Sequence, residues 1–292
     1  IAPENILPIL VEELGSNNLL NSTPDAIRET SDKCRLAQRL AQIGLDVPEF
    51  MCFDAGVDAA GLRVASKDLG YPLVVKPKVG AGCEGLSLVY DADSLEAAYL
   101  KASRSDPSGH VIIQKWCEGV PASVGLVVAD DHIQPLSLNK QIVRIGSSNE
   151  GSAYLGGVVP FPHRLTREAL DAAFRAISAF SGLRGYVGVD LLLTDKTPVV
   201  VEINPRITVS YLGLSRVSSG VVAKMMINGR FVKSGPESNF KRYESFIKAS
   251  LPRSAKVEGV DLIISPLKEG RRRCFILAAV SYTHLRAHET GR

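Results

Sequence analysis

Asp190, Glu202 and Asn204 lie on two apolar runs, residues 186–193 and 199–204, joined by the short turn Thr194-Asp195-Lys196-Thr197. A turn centred on Lys196 predicts that Leu193 faces Val199, Leu191 faces Val201 and Asp190 faces Glu202. Strand side chains alternate, so Val187, Val189, Leu191, Leu193, Val199, Val201 and Ile203 then share an apolar face. Asp190, Glu202 and Asn204 share the other. In this register the two carboxylates stand on β-carbons roughly 5 Å apart, a destabilising like-charge pair unless a cation joins them. Two carboxylates and an amide oxygen form a hard oxygen set that suits Mg2+, which completes its octahedron with phosphate and water. Two solvated carboxylates on an exposed face fit the same pattern, and a slip of one residue separates the trio.

A second cluster surrounds Gly80-Ala81-Gly82-Cys83-Glu84-Gly85, which satisfies GxGxxG. In a dinucleotide-binding domain that loop must open a helix, whereas Leu86-Ser87-Leu88-Val89-Tyr90 reads as a strand. A mobile glycine loop between strands can instead fold over a triphosphate and offer backbone N–H groups, with Lys76 as a nearby fixed cation. A plain flexible hairpin with a solvated lysine is the competing reading. The chain has no GxxxxGK[ST], and it lacks the HRD and DFG elements of a kinase.

These groups need elements to hold them. Thr30-Ser31-Asp32 reads as a helix start, with Leu36, Ala37, Leu40 and Ile43 following at helical spacing and Gly44 as its end. Residues 73–77 and 86–90 read as strands, 91–102 as a helix, and 111–114 and 123–128 as strands flanking a turn at Gly119. Thr166 is the expected cap of a helix carrying Leu170, Phe174, Ile177 and Phe180. Strand pairs interleaved with helices indicate an α+β chain. At 292 residues with net charge +3, the chain holds one or two domains and is too near neutral to suggest nucleic acid as a partner. No apolar run reaches membrane-spanning length, so no membrane role is expected. Cys34, Cys52, Cys83, Cys117 and Cys274 are widely spaced and odd in number. That usage suggests neither a zinc cage nor a disulfide framework, and the expected compartment is a reducing cytoplasm.

The two ends look foreign to the rest. The chain opens without Met on what reads as a strand end, followed by a helix over 6–14, so residues 1–30 are expected to be the remnant of a preceding domain. Residues 236–279 read as a less regular C-terminal extension, expected to be incomplete, with the basic triplet Arg271-Arg272-Arg273. Residues 280–292 resemble a translated reading frame of a sequencing adapter and are excluded from functional reasoning.

Taken in order, SDKCRLAQRLAQIGLDVPEF, YPLVVKPKVGAGCEG, VIIQKWCEG, GYVGVDLLL and VVVEINPRITVSYLGL resemble the ATP-grasp superfamily of carboxylate–amine ligases, across about 31–220. The resemblance implies two α+β subdomains clasping ATP, at 31–110 and 111–235, preceded by a truncated Rossmann-like domain. It implies ATP and Mg2+ as cofactors, with Mn2+ as an alternative ion, and a small-molecule amino acid and amine as substrates. Homo-oligomerisation is left open. By that match Lys33 and Lys76 contact the phosphates, and Gly80, Gly82 and Gly85 close over them. Gln114, Lys115 and Cys117 lie at the adenine hinge. Asp190, Glu202 and Asn204 fall on the metal ligands, and Arg206 on an arginine that stabilises the acyl-phosphate end. Lys76 and Arg206 are thus the catalytic candidates. The family's ribose-binding glutamate is replaced here by Pro121, so either Glu118 is the substitute or ribose is held differently.

The stretches EINPRITVSYLGL and LSLNKQ look most like ligases that join glutamate to tyramine in methanofuran-type cofactor biosynthesis. Lys140, Arg206, Ser210 and Tyr211 are the substrate-side candidates, with packing as the competing role for Ser210 and Tyr211. The alternatives are another ATP-grasp amino-acid or peptide ligase, a carboxylase-like relative using bicarbonate, and a non-catalytic ATP-binding module.

Overall fold

Asp32 ends one helix and starts the next. Its backbone N–H closes α1 (Pro24–Ser31) on Arg28 O, and its carboxylate accepts from Cys34 N and Arg35 N at the head of α2 (Lys33–Gln42), both at 3.1 Å. This cap fixes Lys33 at the first position of α2, while Leu36 and Leu40 turn inward. The computed structural model describes residues 21–129, 132–228, 240, 243–252, 261–268 and 271–280. The expected 6–14 helix and the adapter-like tail from 281 onward lie outside the described residues, as do the side chains of Arg271, Arg272 and Arg273.

A small sheet follows. Strands β1 (Phe50–Phe53), β2 (Leu73–Pro77), β3 (Ser87–Val89) and β4 (Val111–Lys115) pair antiparallel in the order β1-β4-β2-β3. Helices α3 (Ala59–Leu69) and α4 (Ala92–Ser105) supply Leu62, Leu69, Leu95 and Ala98 to a core shared with Leu73, Val75, Val111 and Ile113. Asp91 caps α4 by accepting from Ser94 N at 2.9 Å. Alternation along β2 therefore sends Val74 and Lys76 to the face left free of these helices.

The large sheet holds β5 (Val120–Ala129), β6 (His132–Arg144), β7 (Ala153–Val159), β8 (Gly185–Leu193), β9 (Pro198–Asn204), β10 (Tyr243–Pro252), β11 (Asp261–Lys268) and β12 (Arg271–Val280). Their order is β11-β12-β10-β7-β6-β5-β8-β9, with every neighbour antiparallel. α1, α2 and α5 (Thr166–Ser178) cover one face over a core that includes Leu36, Leu40, Val124, Ile177, Val187, Val189 and Ile203. On the other face α6 (Tyr211–Val217) and α7 (Val221–Asn228) bury Leu214, Val222 and Met225 against Val127, Tyr186 and Phe246.

Several expectations are corrected. β4 and β5 do not pair with each other: β4 completes the small sheet and β5 opens the large one, so residues 116–119 are a crossing between sheets and not a hairpin turn. The chain leaves the small sheet after Lys115 and enters the large sheet at Val120. The helices at 24–42 pack on the large sheet, because their apolar stripe matches β8 and β9 and not the small sheet. The 236–279 region is regular where described and continues the large sheet. Thr166 is the first helical residue of α5 and not its cap, and Phe174 is 42% exposed on the outer face. Cys34 and Cys52 form a disulfide, with Cα atoms 6.1 Å apart, between α2 and β1. The two cysteines are neighbours only in space, which is why spacing along the chain gave no sign of it. Among the described residues no helix is long and apolar enough to cross a membrane.

One glycine in β5 has no room for a side chain. A Cβ on Gly125 would lie 2.5 Å from Tyr186 Oη, and Tyr186 is 1% exposed. Gly125→Ala is expected to cost about 1–3 kcal/mol through overpacking and to lower Tm by several degrees in a thermal melt. An unchanged Tm would contradict this packing.

Candidate functional site

The free face of the small sheet looks across a cleft at the large sheet, and the glycine loop between β2 and β3 forms its roof. Val74, Lys76 and Gln114 enter from the small sheet, Gln141, Asp190 and Glu202 from the large one, and Lys33 from the head of α2. The end of β4 contributes Lys115 and the crossing contributes Trp116 and Cys117 at one end. The loop carries two consecutive left-handed residues, Gly82 at φ 70° and Cys83 at φ 66°. The second is uncommon for a residue with a side chain.

Asp190 stands directly opposite Glu202, with Val189 opposite Ile203 and Gly188 opposite Asn204. Past Asp190 the ladder slips by one residue, so Leu191 pairs with Val200, Leu192 with Val199 and Leu193 with Pro198. Val201 is the extra residue of a β-bulge. The expected apolar face is corrected accordingly: Val200, not Val199 and Val201, joins Val187, Val189, Leu191, Leu193 and Ile203 in the core. Val201 lines the cleft beside Glu202. A bulge bends its strand and re-aims the side chains next to it.

The charges are arranged around this pair. Lys33 Nζ lies 3.2 Å from Glu202 Oε1 and donates to Gly80 O at 2.8 Å, tying the loop to the large sheet. Asp190 accepts from Gln141 Nε2 at 2.9 Å and from Asn204 Nδ2 at 3.0 Å. Arg206 Nη2 in turn donates to Asn204 Oδ1 at 3.3 Å. Burial, and then the neighbouring Glu202, push the Asp190 carboxyl up to about 7, against the two amide donors. For Glu202 burial also pushes upward, but Lys33, Lys76 and Arg206 outweigh it and hold the carboxyl below its ordinary value. Lys76, 4% exposed, is lowered to about 8, chiefly by burial, with Glu202 opposing.

Asp190 faces Glu202 directly across the ladder, and the Lys33 ammonium pairs with Glu202, while Asp190 accepts from the neutral amides of Gln141 and Asn204. A divalent ion beside Asp190 and Glu202 would supply what is lacking, so the donor set fits a hard cation. Asp190 and Glu202 would hold it; Asn204, the third candidate, turns its Nδ2 toward Asp190 and its Oδ1 toward Arg206 here, so its oxygen would join only with the amide reversed. Among the described residues no group of three or more His, Cys, Asp or Glu that could hold a metal ion gathers, here or elsewhere, and this site offers two carboxylates. Gln141→Leu removes a donor that orients Asp190 and is expected to raise the Mg2+ concentration for half-maximal activity about 10- to 100-fold. An unchanged Mg2+ requirement would contradict that role.

The remaining candidates divide. Gly80 and Gly82 line the cleft, but Gly85 is buried against α4, where a Cβ would meet Ser105 Cβ at 2.7 Å. Gln114, Lys115 and Cys117 line the crossing end, whereas Glu118 is exposed and does not line the cleft. Beyond Glu202 the cleft opens into a second chamber lined by Asn204, Arg206 and Ser210. The Ser210 hydroxyl is 2.8 Å from Thr208 Oγ1. Tyr211 instead packs edge-on against Tyr186, with ring centroids 5.4 Å apart. Lys140 is corrected: its ammonium sits over the Phe161 ring, 5.4 Å from the centroid, and alternation along β6 sends Gln141 and Val143 into the cleft in its place. Trp116, Cys83, Gln141, Tyr154, Lys248 and Phe275 line the cavities without having been singled out from sequence. Of these, Gln141 was within reach of parity along its strand. The Cys83 thiol is pushed up to about 11, first by burial and then by the carboxylates.

The chain is similar to known proteins in both sequence and fold. It is 39% identical over 116 residues to a tyramine–L-glutamate ligase of Methanocaldococcus fervens, covering 40% of this chain and 36% of that one. It is 27% identical over 259 residues to a carbamoyl phosphate synthase large chain of Myxococcus xanthus, covering 85% of this chain and 23% of that one. The chain thus spans little more than a third, or less, of the length of these curated relatives. A crystal structure of carboxyaminoimidazole ribonucleotide synthase from Aspergillus clavatus complexed with ATP superposes with a TM-score of 0.75 at 18% identity, covering 98% of this chain and 78% of that one. Residues 30–210, more than half the chain, match the sequence profile of the ATP-grasp domain, and the chain belongs to the ATP-grasp family.

Proposed function

We propose that the protein is an ATP-dependent carboxylate–amine ligase that forms an amide through an acyl phosphate, with glutamate as the acid and tyramine or tyrosine as the amine. The observation that carries this reading is the Asp190–Glu202 pair, side by side on the cleft face with Lys33 and Lys76 beside it. A divalent ion bound there supplies charge neutralisation along the triphosphate. The chain's own groups do the rest.

Lys33 and Lys76 hold phosphate oxygens, and the loop from Gly80 to Gly82 closes over them while shedding water. A carboxylate oxygen of the acid attacks the γ-phosphorus, the bond to the β-phosphate bridge breaks, and ADP leaves. Arg206, fixed through Asn204, faces the charge that develops on the acyl-phosphate end. The amine then attacks the acyl carbon, the carbon–oxygen bond breaks, phosphate leaves and the amine loses a proton to solvent. The 39% identity to a tyramine–L-glutamate ligase supports the choice of substrates.

A second reading takes bicarbonate as the acid, favoured by the 85% of the chain that aligns with a carbamoyl phosphate synthase. Positional isotope exchange separates the two. With ATP labelled by 18O at the β,γ-bridge, scrambling into the non-bridging position is expected with glutamate and no amine. Scrambling with bicarbonate alone selects the second reading, and none with either acid contradicts acyl-phosphate chemistry.

A further inference from the structure

The second chamber has a wall that the family match does not cover. Arg206 and Ser210 come from the segment after β9, but Lys248 and Phe275 come from β10 and β12, outside the matched residues 30–210. Lys248 stands directly opposite Phe275 across the β10–β12 ladder, so both side chains leave the same face of the sheet. The chamber therefore receives an ammonium beside an aromatic ring. Tyr154 adds a second ring, itself stacked on Phe246 at 6.4 Å. Burial pushes the Tyr154 hydroxyl up, so it stays neutral and brings no charge of its own.

Two cations thus face the chamber from different elements, and they are differently engaged. Arg206 is bound to Asn204 next to the carboxylate pair. Lys248 has no hydrogen bond or ion pair among the described residues, and its charge reaches the glycine loop, where it draws the Cys83 thiol downward. An acid activated at one carboxylate beside Arg206 must be selected by what it carries at its other end. An ammonium on a partly apolar wall selects a second carboxylate over a neutral or cationic group.

Resting on the ligase reading above, we infer that Lys248 is a specificity-determining residue that pairs with the remote carboxylate of a dicarboxylic amino acid while the other carboxylate is phosphorylated. Lys248 is exposed on its strand, so replacing it leaves the core intact. Acid-dependent ADP release by the full chain is compared for L-glutamate and 4-aminobutyrate, which keeps the amine and the reacting carboxylate but lacks the α-carboxylate. Lys248→Ala is expected to raise KM for glutamate about 10- to 100-fold. The preference for glutamate over 4-aminobutyrate should fall by the same factor, with kcat at saturating glutamate within about threefold of wild type, the pattern of lost ground-state binding. Lys248→Arg is expected to recover most of the loss. An unchanged glutamate KM in Lys248→Ala, or an equal loss on both acids, overturns the assignment while leaving the ligase reading intact. Wild-type protein that releases ADP with bicarbonate alone, or with no acid, overturns the glutamate reading and this assignment together.

Discussion

Glu202→Gln is expected to lower acid-dependent ADP release by about a thousandfold or more, roughly 4 kcal/mol of barrier. The substitution keeps the shape of the side chain and removes only its charge, so the bulge and the ladder should survive. Glu202 is the direct neighbour of Asp190 across the strands and lies 3.2 Å from Lys33 Nζ. Without its charge, Lys33 loses its ion pair and the buried Lys76 loses the group that most supports its protonated form. Asp190 alone is then a poor site for a divalent ion. Circular dichroism and Tm should match wild type within the effect of one polar change, and ADP release measured by a coupled assay should nearly vanish. Turnover close to wild type would show that Glu202 is a bystander.

Lys76→Ala should be nearly as severe, at about a hundredfold or more in kcat. Lys76 lies on the cleft face of β2 and is 4% exposed, so no other cation can swing into its place from solvent. Lys33 is the other ammonium at the pair, and it is already engaged by Glu202 and Gly80. Removing Lys76 leaves the triphosphate under-neutralised both on binding and as charge moves during transfer, so the KM for ATP should rise along with the loss in kcat. Lys76→Arg should not rescue fully, because the planar guanidinium is larger than the ammonium and the site is closed. A Lys76→Ala protein with unchanged KM for ATP would place the phosphates elsewhere.

The parts of this site that could be read from sequence share one property: each depends on local alternation around a strong turn. Asp190 and Glu202 could be paired because apolar residues flank them with period two and the turn at Thr194–Thr197 is short. The same rule failed a few residues away. The bulge at Val201 shifts the end of the hairpin by one residue, and no residue type announces it, since Val199, Val200 and Val201 are identical. No strand is expected from sequence at 132–144, so parity has nothing to act on there: Lys140 is a candidate by resemblance, whereas Gln141 is the neighbour that reaches Asp190. What depends on long-range packing stayed hidden. Gly119 looked like a turn because strands flank it, yet those strands belong to different sheets. The Cys34–Cys52 bridge ties α2 to the small sheet while α1 and α2 dock on the large one, and neither contact is encoded in local pattern. β10 lies in the stretch that reads as less regular, and it buries a charged residue, Glu244, at 0% exposure with Arg216 Nε 3.4 Å away.

The most direct test of the central arrangement is the binding of Mn2+ together with a non-hydrolysable ATP analogue, followed by electron paramagnetic resonance. Wild-type protein should hold the ion tightly only when the analogue is present, and Asp190→Asn should weaken that binding at least about tenfold. Equal Mn2+ affinity in the two proteins would mean that the carboxylates facing each other across β8 and β9 do not hold the nucleotide's ion.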